Sequence, residues 1–369
     1  MHGVKRTRIP PTADSAEVEH KRLVKTRQRI DEYSSLVRAL QDNVRVHQDY
    51  SDETLALSAR VLEINPEFQT GWGLRRNVLL NGPLKDADPQ ARQRTLEQDL
   101  ALTNLALRSN PKIYAVWEHR KWVLETMPDA DWAGELKLVD LFLEKDGRNF
   151  HSWDYRRYLI ESILSLGSEP DPSSSSRTKP LPNPTTESEL AYTTRKISAN
   201  FSNFSAWHYR TKLLSRLWEE RGIEAGSQER AERVDQEFDL VKQAIWSDPN
   251  DQSAWLYHRW LVGSGTIPLV RREIQGIEEL LEEEPDSRWC LDSLVHYKRL
   301  LSTLLASSAD SIEDGQQPDH VDASQTTNRE EREKLALECR DMLNKLQEVD
   351  PMRRNRYVDI GLQIIPARR

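Results

Sequence analysis

Few side chains of this sequence stand in a pattern that could carry out chemistry. There is no phosphate-binding glycine loop, no CxxC or HExxH metal motif and no GxSxG nucleophile. Four of the nine histidines lie in mutually similar segments, but no two have the spacing of metal ligands on one helical turn: His119, His151, His208 and His258. We expect most of them to cap helices or to hydrogen-bond at helix ends. Alone, this inventory is typical of a binding scaffold and not of a self-sufficient enzyme.

One lysine stands where an anion could bind. Lys112 directly follows Pro111, at a point where the sequence predicts that a helix begins. The free N–H groups and the dipole of a helix N-terminus attract negative charge, and an ammonium group beside them adds to that attraction. From these residues alone, a solvated lysine at a helix end is the preferred interpretation.

The elements that carry these residues form a repeat. Six tryptophans each lie seven residues after an Asn, Asp or Glu: Trp72, Trp117, Trp153, Trp207, Trp255 and Trp289. The surrounding segments resemble one another, with good copies at residues 65–79, 110–124, 146–160 and 200–214, a looser copy at 248–262 and a degenerate one at 282–296. Self-similarity at steps of 34 to 54 residues indicates stacked supersecondary units.

Each repeat contains two predicted helices. In the first copy helix A begins near Ser51 and stops before Pro66, because the residue before a proline is pushed out of the helical region. Helix B then carries Trp72 and further apolar residues at helical spacing. The same Pro punctuation recurs at Asn110-Pro111 and Asp248-Pro249, whereas Asp146-Gly147 and Asn200-Phe201 occupy the place in the other copies, where short polar side chains can turn one helix into the next. The sequence therefore predicts an all-α fold of antiparallel helix pairs.

An arginine follows the tryptophan by three residues in four copies: Arg75, Arg120, Arg156 and Arg210. This spacing puts both side chains on one helix face. The indole supplies contact area, and the guanidinium fork can reach carbonyl or carboxylate groups. We interpret the set as structural, with a functional basic strip as the alternative. In the fifth copy the arginine is displaced by one position, to Arg259.

The repeats predict a single helical-repeat domain over residues 1–369. A basic N-terminal leader and helix would occupy residues 1–50, and six helix pairs would follow over 51–305. A Pro- and Ser-rich stretch at about 167–189 reads as a disordered insertion. An acidic linker at 306–328 would precede terminal capping helices at 329–369.

Composition excludes several classes of protein. Asp and Glu outnumber Lys and Arg by 60 to 52, which argues against bulk nucleic-acid binding. Residues 1–30 are basic, so this start could touch an acidic partner, although a solvated charged helix is the preferred interpretation. With two cysteines, no secretory leader and no apolar run of about 18 residues, we expect a soluble cytoplasmic protein.

The motif of Asn or Asp near the end of helix A and W-x-x-R in helix B resembles the repeat of protein prenyltransferase α subunits, over about residues 50–300. The start MHG and a following basic helix are similar to the branch of that family that modifies Rab GTPases. So are three longer segments: RNFHSWDYRR (148–157), NFSNFSAWHYR (200–210) and DPNDQSAWLYHRW (248–260). The resemblance implies a right-handed α-α superhelix.

The resemblance also implies a role as one half of a heterodimeric enzyme. A β subunit would hold a zinc ion and most of a lipid pocket, and magnesium stays open as a second metal. The complex would transfer geranylgeranyl from its diphosphate to C-terminal cysteines of Rab GTPases bound to Rab escort protein. Negative charge builds on the departing diphosphate, and cationic and hydroxyl donors stabilise it.

Position by position, the resemblance assigns Lys112 and Tyr114 to this diphosphate as catalytic residues. It places Asn149 and His151 near the channel for the substrate peptide, although His151 could equally cap its helix. It makes His2 a candidate ligand to the zinc of the β subunit, where a neutral imidazole is a competent fourth ligand. The alternative for His2 is an incidental residue of the chain terminus.

One departure from the family pattern discriminates between its branches. Family members that recognise a CaaX box carry a glutamine after the tyrosine, whereas this chain has Ala115, which cannot hydrogen-bond a peptide carboxylate. This favours the Rab-modifying branch. The alternatives are an α subunit shared by farnesyltransferase and type I geranylgeranyltransferase, and a non-catalytic helical-repeat adaptor.

Overall fold

The computed structural model describes residues 13–168, 181–313 and 323–364. Within these ranges the secondary structure is entirely helical, which confirms the predicted all-α fold class. No helix of the described residues combines the length and apolar character needed to cross a membrane. The helices are α1 Ala13–Arg45, α2 Asp52–Ile64, α3 Gln69–Asn81, α4 Pro89–Ser109, α5 Tyr114–Thr126, α6 Trp132–Lys145, α7 Phe150–Ser168, α8 Thr186–Ala199, α9 Phe204–Arg221, α10 Gln228–Ser247, α11 Gln252–Val262, α12 Ile267–Glu283, α13 Arg288–Glu313, α14 Ala323–Val349, a 3-10 turn Pro351–Arg353 and α15 Arg354–Ile364.

The chain divides into two compact units, Met1–Pro184 and Thr185–Arg369. In the first unit the pairs α2–α3, α4–α5 and α6–α7 follow α1, and the B helices α3, α5 and α7 pack side by side. In the second unit the pairs α8–α9, α10–α11 and α12–α13 are followed by α14 and α15, with α9, α11 and α13 side by side. The predicted helix pairs are thus present in both units.

The predicted irregular segments are shorter than expected. Helix α7 continues to Ser168, and α8 begins at Thr186, so both ends of the expected insertion at 167–189 are helical. The Thr185 side chain accepts from the Ser188 N–H, and the Ser188 hydroxyl accepts from the Thr185 N–H, so that the two residues form a capping box. Likewise α13 and α14 extend into the expected linker at 306–328, to Glu313 and from Ala323. Residues 181–185 are described and lack regular secondary structure, whereas residues 169–180 and 314–322 lie outside the described residues.

The repeated tryptophans form the core of their helix pairs. All five signature side chains are at most 3 % exposed. Each indole N–H donates to the backbone carbonyl six residues earlier, at 2.7 to 2.9 Å. This bond ties helix B to the turn that precedes it. The degenerate sixth copy keeps a buried Trp289, but its Nε1 has no partner among the described residues.

In three repeats the arginine three residues after the tryptophan joins three helices: Arg75, Arg120 and Arg210. Arg120 donates from Nε and Nη2 to both oxygens of Glu135 in the next helix pair, at 2.7 and 2.6 Å. Its Nη1 donates to Thr103 Oγ1 in helix A of its own pair, at 2.6 Å. Arg210 repeats this pattern with Glu237, at 2.6 and 2.7 Å. These arginines are buried, as their structural interpretation requires.

The same carboxylates accept a second bond, from the residue two after the next tryptophan. Tyr155 donates its hydroxyl hydrogen to Glu135 at 2.6 Å, and Tyr257 donates to Glu237 at 2.7 Å. His119 pairs with Asp99 in the corresponding way. Every one of these carboxylates therefore bridges two successive B helices, and its burial is compensated by hydrogen bonds.

The fifth repeat departs from this pattern in a way that the sequence alone did not indicate. His258 takes the place of the arginine three residues after Trp255, with its Nε2 2.9 Å from Glu273 and its Nδ1 2.7 Å from the Tyr297 hydroxyl. Burial lowers the pKa of His258, although Glu273 opposes that shift. The expectation that these histidines lie at helix ends was wrong for His119 and His258, because both lie inside helices and pair with buried carboxylates.

Replacement of Arg120 by alanine should destabilise the first unit. The change leaves the buried Glu135 carboxylate without its charge partner, which costs about 3–5 kcal/mol in comparable buried pairs. Arg216→Ala is a matched control, since it removes a half-exposed pair with Glu220 that is worth about 1 kcal/mol or less. Chemical denaturation measures both losses. Equal losses would show that the buried pair is not a main support of the stack.

Candidate functional site

The predicted site residues lie at the N-terminal ends of two neighbouring helices. Helix α5 begins at Tyr114 and α7 at Phe150, and the two helices pack against each other. Because both are B helices of successive repeats, they run in the same direction, and their N-terminal ends lie side by side. The fold thereby brings Lys112, Tyr114 and His151 together at one edge of the first unit.

Lys112 is held loosely. Its side chain is 62 % exposed, and Nζ lies 3.3 Å from Oδ2 of Asp146. The backbone is better fixed, since the Lys112 N–H donates to Asn110 Oδ1 at 3.0 Å. A partly exposed ion pair of this kind contributes about 0–1 kcal/mol, so an incoming anion can take over the ammonium group at little cost.

Tyr114 presents its ring at the same edge. The side chain is 65 % exposed, and its ring centroid lies 4.2 Å from that of His151 in an edge-on arrangement. Phe150, which is 52 % exposed, lies 5.8 Å from Tyr114 and 3.9 Å from His151, measured between ring centroids. The imidazole therefore contacts both aromatic rings, which also lie near each other. Phe150 was not singled out from the sequence, although it occupies the same repeat position as Tyr114.

The first turn of α5 is open to an anion. Its N-cap is Ile113, and no side chain caps the N–H groups of that turn. Helix α7 differs, because Oδ1 of Asn149 accepts from the N–H groups of His151 and Ser152, at 3.0 and 3.4 Å. Uncapped N–H groups with a lysine beside them suit a phosphate oxygen.

His151 is neutral around physiological pH. The side chain is buried, and this burial is the main cause that lowers its pKa. The positive charge of Lys112 lowers the pKa further, whereas the nearby carboxylate of Asp154 raises it. A neutral imidazole can donate one hydrogen bond and accept another.

Asn149 has a different environment from the other predicted residues. It is 2 % exposed, and both ends of its amide are engaged within the protein. Besides capping α7, its Nδ2 donates to the carbonyl of Pro111 at 3.3 Å, and that carbonyl also accepts from Trp117 Nε1 at 2.9 Å. Asn149 therefore links the start of α7 to the turn that carries Lys112.

The described residues supply no metal site of their own, since no group of three or more His, Cys, Asp or Glu among them is placed to hold an ion. His2, the predicted zinc ligand, lies outside the described residues. Cys290 and Cys339 are buried, and burial raises the pKa of each thiol to about 11, so both stay protonated.

Comparisons with known proteins agree with this architecture. A sequence profile described as "Protein prenyltransferase alpha subunit repeat" matches residues 96–127, 132–163, 186–217 and 234–264. The protein named geranylgeranyl transferase type-2 subunit alpha from Schizosaccharomyces pombe is 33 % identical over 374 residues, which covers 97 % of this chain and 96 % of that protein. The chain belongs to the protein prenyltransferase α-subunit family.

Mammalian relatives bear the same name but are longer. The type-2 subunit alpha from Rattus norvegicus is 37 % identical over 265 residues, which covers 71 % of this chain and 42 % of the rat protein. The Homo sapiens protein is 36 % identical over the same length, again with 42 % of that protein covered. The chain thus spans nearly the whole fission yeast relative but aligns with less than half of the mammalian ones.

A solved structure shares the fold. Candida albicans protein geranylgeranyltransferase-I complexed with GGPP aligns with a TM-score of 0.60, at 18 % identity and with 91 % of each chain covered. At this level of identity the similarity concerns the fold alone.

Lys112→Ala should raise the pKa of His151, because it removes a positive charge that disfavours the imidazolium form. Asp154→Asn should shift the same pKa in the opposite direction, since it removes a carboxylate that favours the charged form. NMR titration of the imidazole ring protons measures both changes. Shifts of the same sign would contradict the proximity of Lys112 and His151.

Proposed function

We propose that this chain is the α subunit of a heterodimeric type-2 geranylgeranyltransferase. The complex would transfer geranylgeranyl from geranylgeranyl diphosphate to C-terminal cysteines of Rab GTPases bound to Rab escort protein. The observation that carries this proposal is the match along nearly the whole fission yeast relative, which is named as this subunit. The uncapped start of α5 beside Lys112 and Tyr114 supports it.

In this reaction the bond between C1 of the isoprenoid and the diphosphate oxygen breaks, so negative charge accumulates on the departing group. The Lys112 ammonium would exchange its contact with Asp146 for a diphosphate oxygen. The Tyr114 hydroxyl, which has no hydrogen-bond partner among the described residues, would donate a second bond. The N–H groups of the first turn of α5 would add a third source of positive potential. Donors that are fixed before the charge develops stabilise it most effectively.

The remaining components come from partners. A β subunit would hold zinc, which would bind the cysteine thiol of the substrate as a thiolate, and that sulfur would bond to C1 as the diphosphate leaves. Magnesium is a candidate second metal. His2 would compete with the substrate thiolate as a ligand to that zinc, and the neutral His151 would border the peptide channel. We place the complex in the cytoplasm, where prenylated GTPases are synthesised.

Ala115 supports the proposed choice of substrate. It directly follows Tyr114 at the start of α5, where its methyl group offers no hydrogen bond to a peptide carboxylate. A subunit that relies on an escort protein to present its substrate does not need such a contact. A CaaX-reading enzyme would need it, which makes the shared α subunit the alternative to test.

Co-expression with candidate β subunits tests the assignment. We expect a 1:1 complex with a Rab-type β subunit in native mass spectrometry, and prenylation of a Rab GTPase only when escort protein is present. A complex with a CaaX-type β subunit that prenylates free CaaX peptide would overturn the proposal in favour of the shared α subunit. A stable monomer indifferent to both would indicate a non-catalytic adaptor.

Lys112→Ala should lower turnover of the purified complex without dissociating it. Loss of one charge-assisted hydrogen bond of about 1.5–3 kcal/mol corresponds to a rate decrease of roughly 10- to 150-fold. Lys137→Ala is a suitable control, because it removes an exposed lysine from the middle of α6, away from Asp146 and the predicted site. Turnover equal to that of the unmodified complex would exclude Lys112 from the reaction.

A further inference from the structure

We propose that Asn149 is a positioning residue that acts through Lys112. Its side chain would fix the turn Asn110–Ile113 so that the ammonium group faces the departing diphosphate. This role replaces the direct contact with the substrate peptide that the family resemblance implies. The inference rests on the proposed function, because it assumes that Lys112 serves the diphosphate.

Burial is the first observation behind this role. At 2 % exposure, Asn149 offers a substrate almost no surface, whereas Lys112 and Tyr114 are largely exposed. The Oδ1 atom is occupied by the N–H groups of His151 and Ser152, and Nδ2 is directed to the Pro111 carbonyl. A ligand could engage this amide only by breaking bonds that hold α7 and its neighbouring turn.

The second observation is the place at which Asn149 bonds. Pro111 immediately precedes Lys112, so a bond to the Pro111 carbonyl restrains the peptide unit from which the lysine extends. Trp117 Nε1 donates to the same carbonyl from within α5. The carbonyl oxygen is thus held from α5 and from α7, and the peptide plane cannot rotate without losing both bonds.

The segment 146–149 also contacts the ammonium group of Lys112. Asp146, three residues before Asn149, places its Oδ2 atom 3.3 Å from Nζ. Its other oxygen accepts from the Arg148 N–H at 3.1 Å, which orients the carboxylate. The segment 146–149 therefore holds Lys112 at the backbone through a partly buried hydrogen bond and at the amine through a weak, exchangeable ion pair.

A purely structural role is the competing explanation, because a similar bond occurs elsewhere. Ser287 Oγ donates to the Pro249 carbonyl at 3.2 Å, and that carbonyl also accepts from Trp255 Nε1. None of the predicted site residues lies in that repeat. Ser287 thus provides a matched control, and its loss is at least as disruptive because Oγ also accepts from the Cys290 N–H.

The test is a double-mutant cycle in the heterodimer with its β subunit. Asn149→Ser keeps an oxygen that can cap α7 but cannot reach Pro111. We expect it to slow single-turnover prenylation by about 2- to 12-fold, the size of one neutral hydrogen bond, with little change in the Kd for geranylgeranyl diphosphate. In the Lys112→Ala background the same substitution should cause no further loss, because Asn149 acts through the missing ammonium.

Three outcomes would overturn the inference. Additive losses in the double variant would mean that Asn149 acts independently of Lys112. If Ser287→Ala slows single-turnover prenylation as much as Asn149→Ser does, the effect of Asn149→Ser would be explained by a general loosening of the repeats. If Asn149→Ser leaves the prenylation rate unchanged while Lys112→Ala lowers it, the hydrogen bond from Asn149 to the Pro111 carbonyl is dispensable.

The design separates this inference from the function on which it rests. If Lys112→Ala itself leaves turnover unchanged, the proposed role of Lys112 fails before Asn149 is considered. If Asn149→Ser prevents assembly of the heterodimer, Asn149→Thr retains the capping oxygen with more side-chain volume, and the same cycle is measured with that variant. Coupling to Lys112 in the threonine variant would support the inference, and additivity would refute it.

Discussion

The buried arginine of each W-x-x-R motif is the constraint on which the stack of helix pairs depends. A guanidinium group in the interior needs a carboxylate and further hydrogen-bond acceptors, since an unpaired buried charge is strongly destabilising. Arg120 finds these partners only if Glu135 of the following pair and Thr103 of its own pair face it together. The Glu135 carboxylate must then also meet Tyr155. These directional bonds thereby fix the rotation and the register of one repeat relative to the next. Apolar packing is not directional and would fix them less strictly.

This register is also what creates the candidate site. The tryptophan and the arginine point inward, whereas the residue three positions before the tryptophan lies at the helix start and faces outward. Tyr114 and Phe150 occupy this position on α5 and α7, and both are exposed. The repeat thus separates its tasks along the helix: the tryptophan and the arginine hold the helix pairs together, and the exposed position at the helix start can contact a ligand or a partner.

Much of this organisation could be predicted from the sequence because it depends on spacing. The tryptophan period predicted the helix pairs, and the family resemblance singled out Tyr114 and His151, which the structure places in contact at the starts of neighbouring B helices. Contacts between helices were harder, since nothing in the sequence near Trp255 shows that His258 takes over the arginine's carboxylate partner. The burial of Asn149 could not be predicted either, because it also depends on a contact with a neighbouring repeat. The polar side chain suggests a surface residue until the Pro111 carbonyl opposite it is known.

Two cations of the same repeat, Arg120 and Lys112, differ in function: Arg120 stabilises the fold, and Lys112 can exchange its ion-pair partner. The Arg120 guanidinium donates to five acceptor atoms and is 1 % exposed, so a ligand could reach it only by disrupting part of the core. Lys112 has one side-chain contact, at 3.3 Å in a solvated setting, and its partner Asp146 keeps a bond to the Arg148 N–H when the lysine leaves. The ammonium group of Lys112 can therefore exchange the Asp146 carboxylate for a ligand anion at a small local cost in free energy. Because Asn149 and Trp117 anchor the turn through partly buried hydrogen bonds to the Pro111 carbonyl, the ammonium group can change partners while its backbone stays in place.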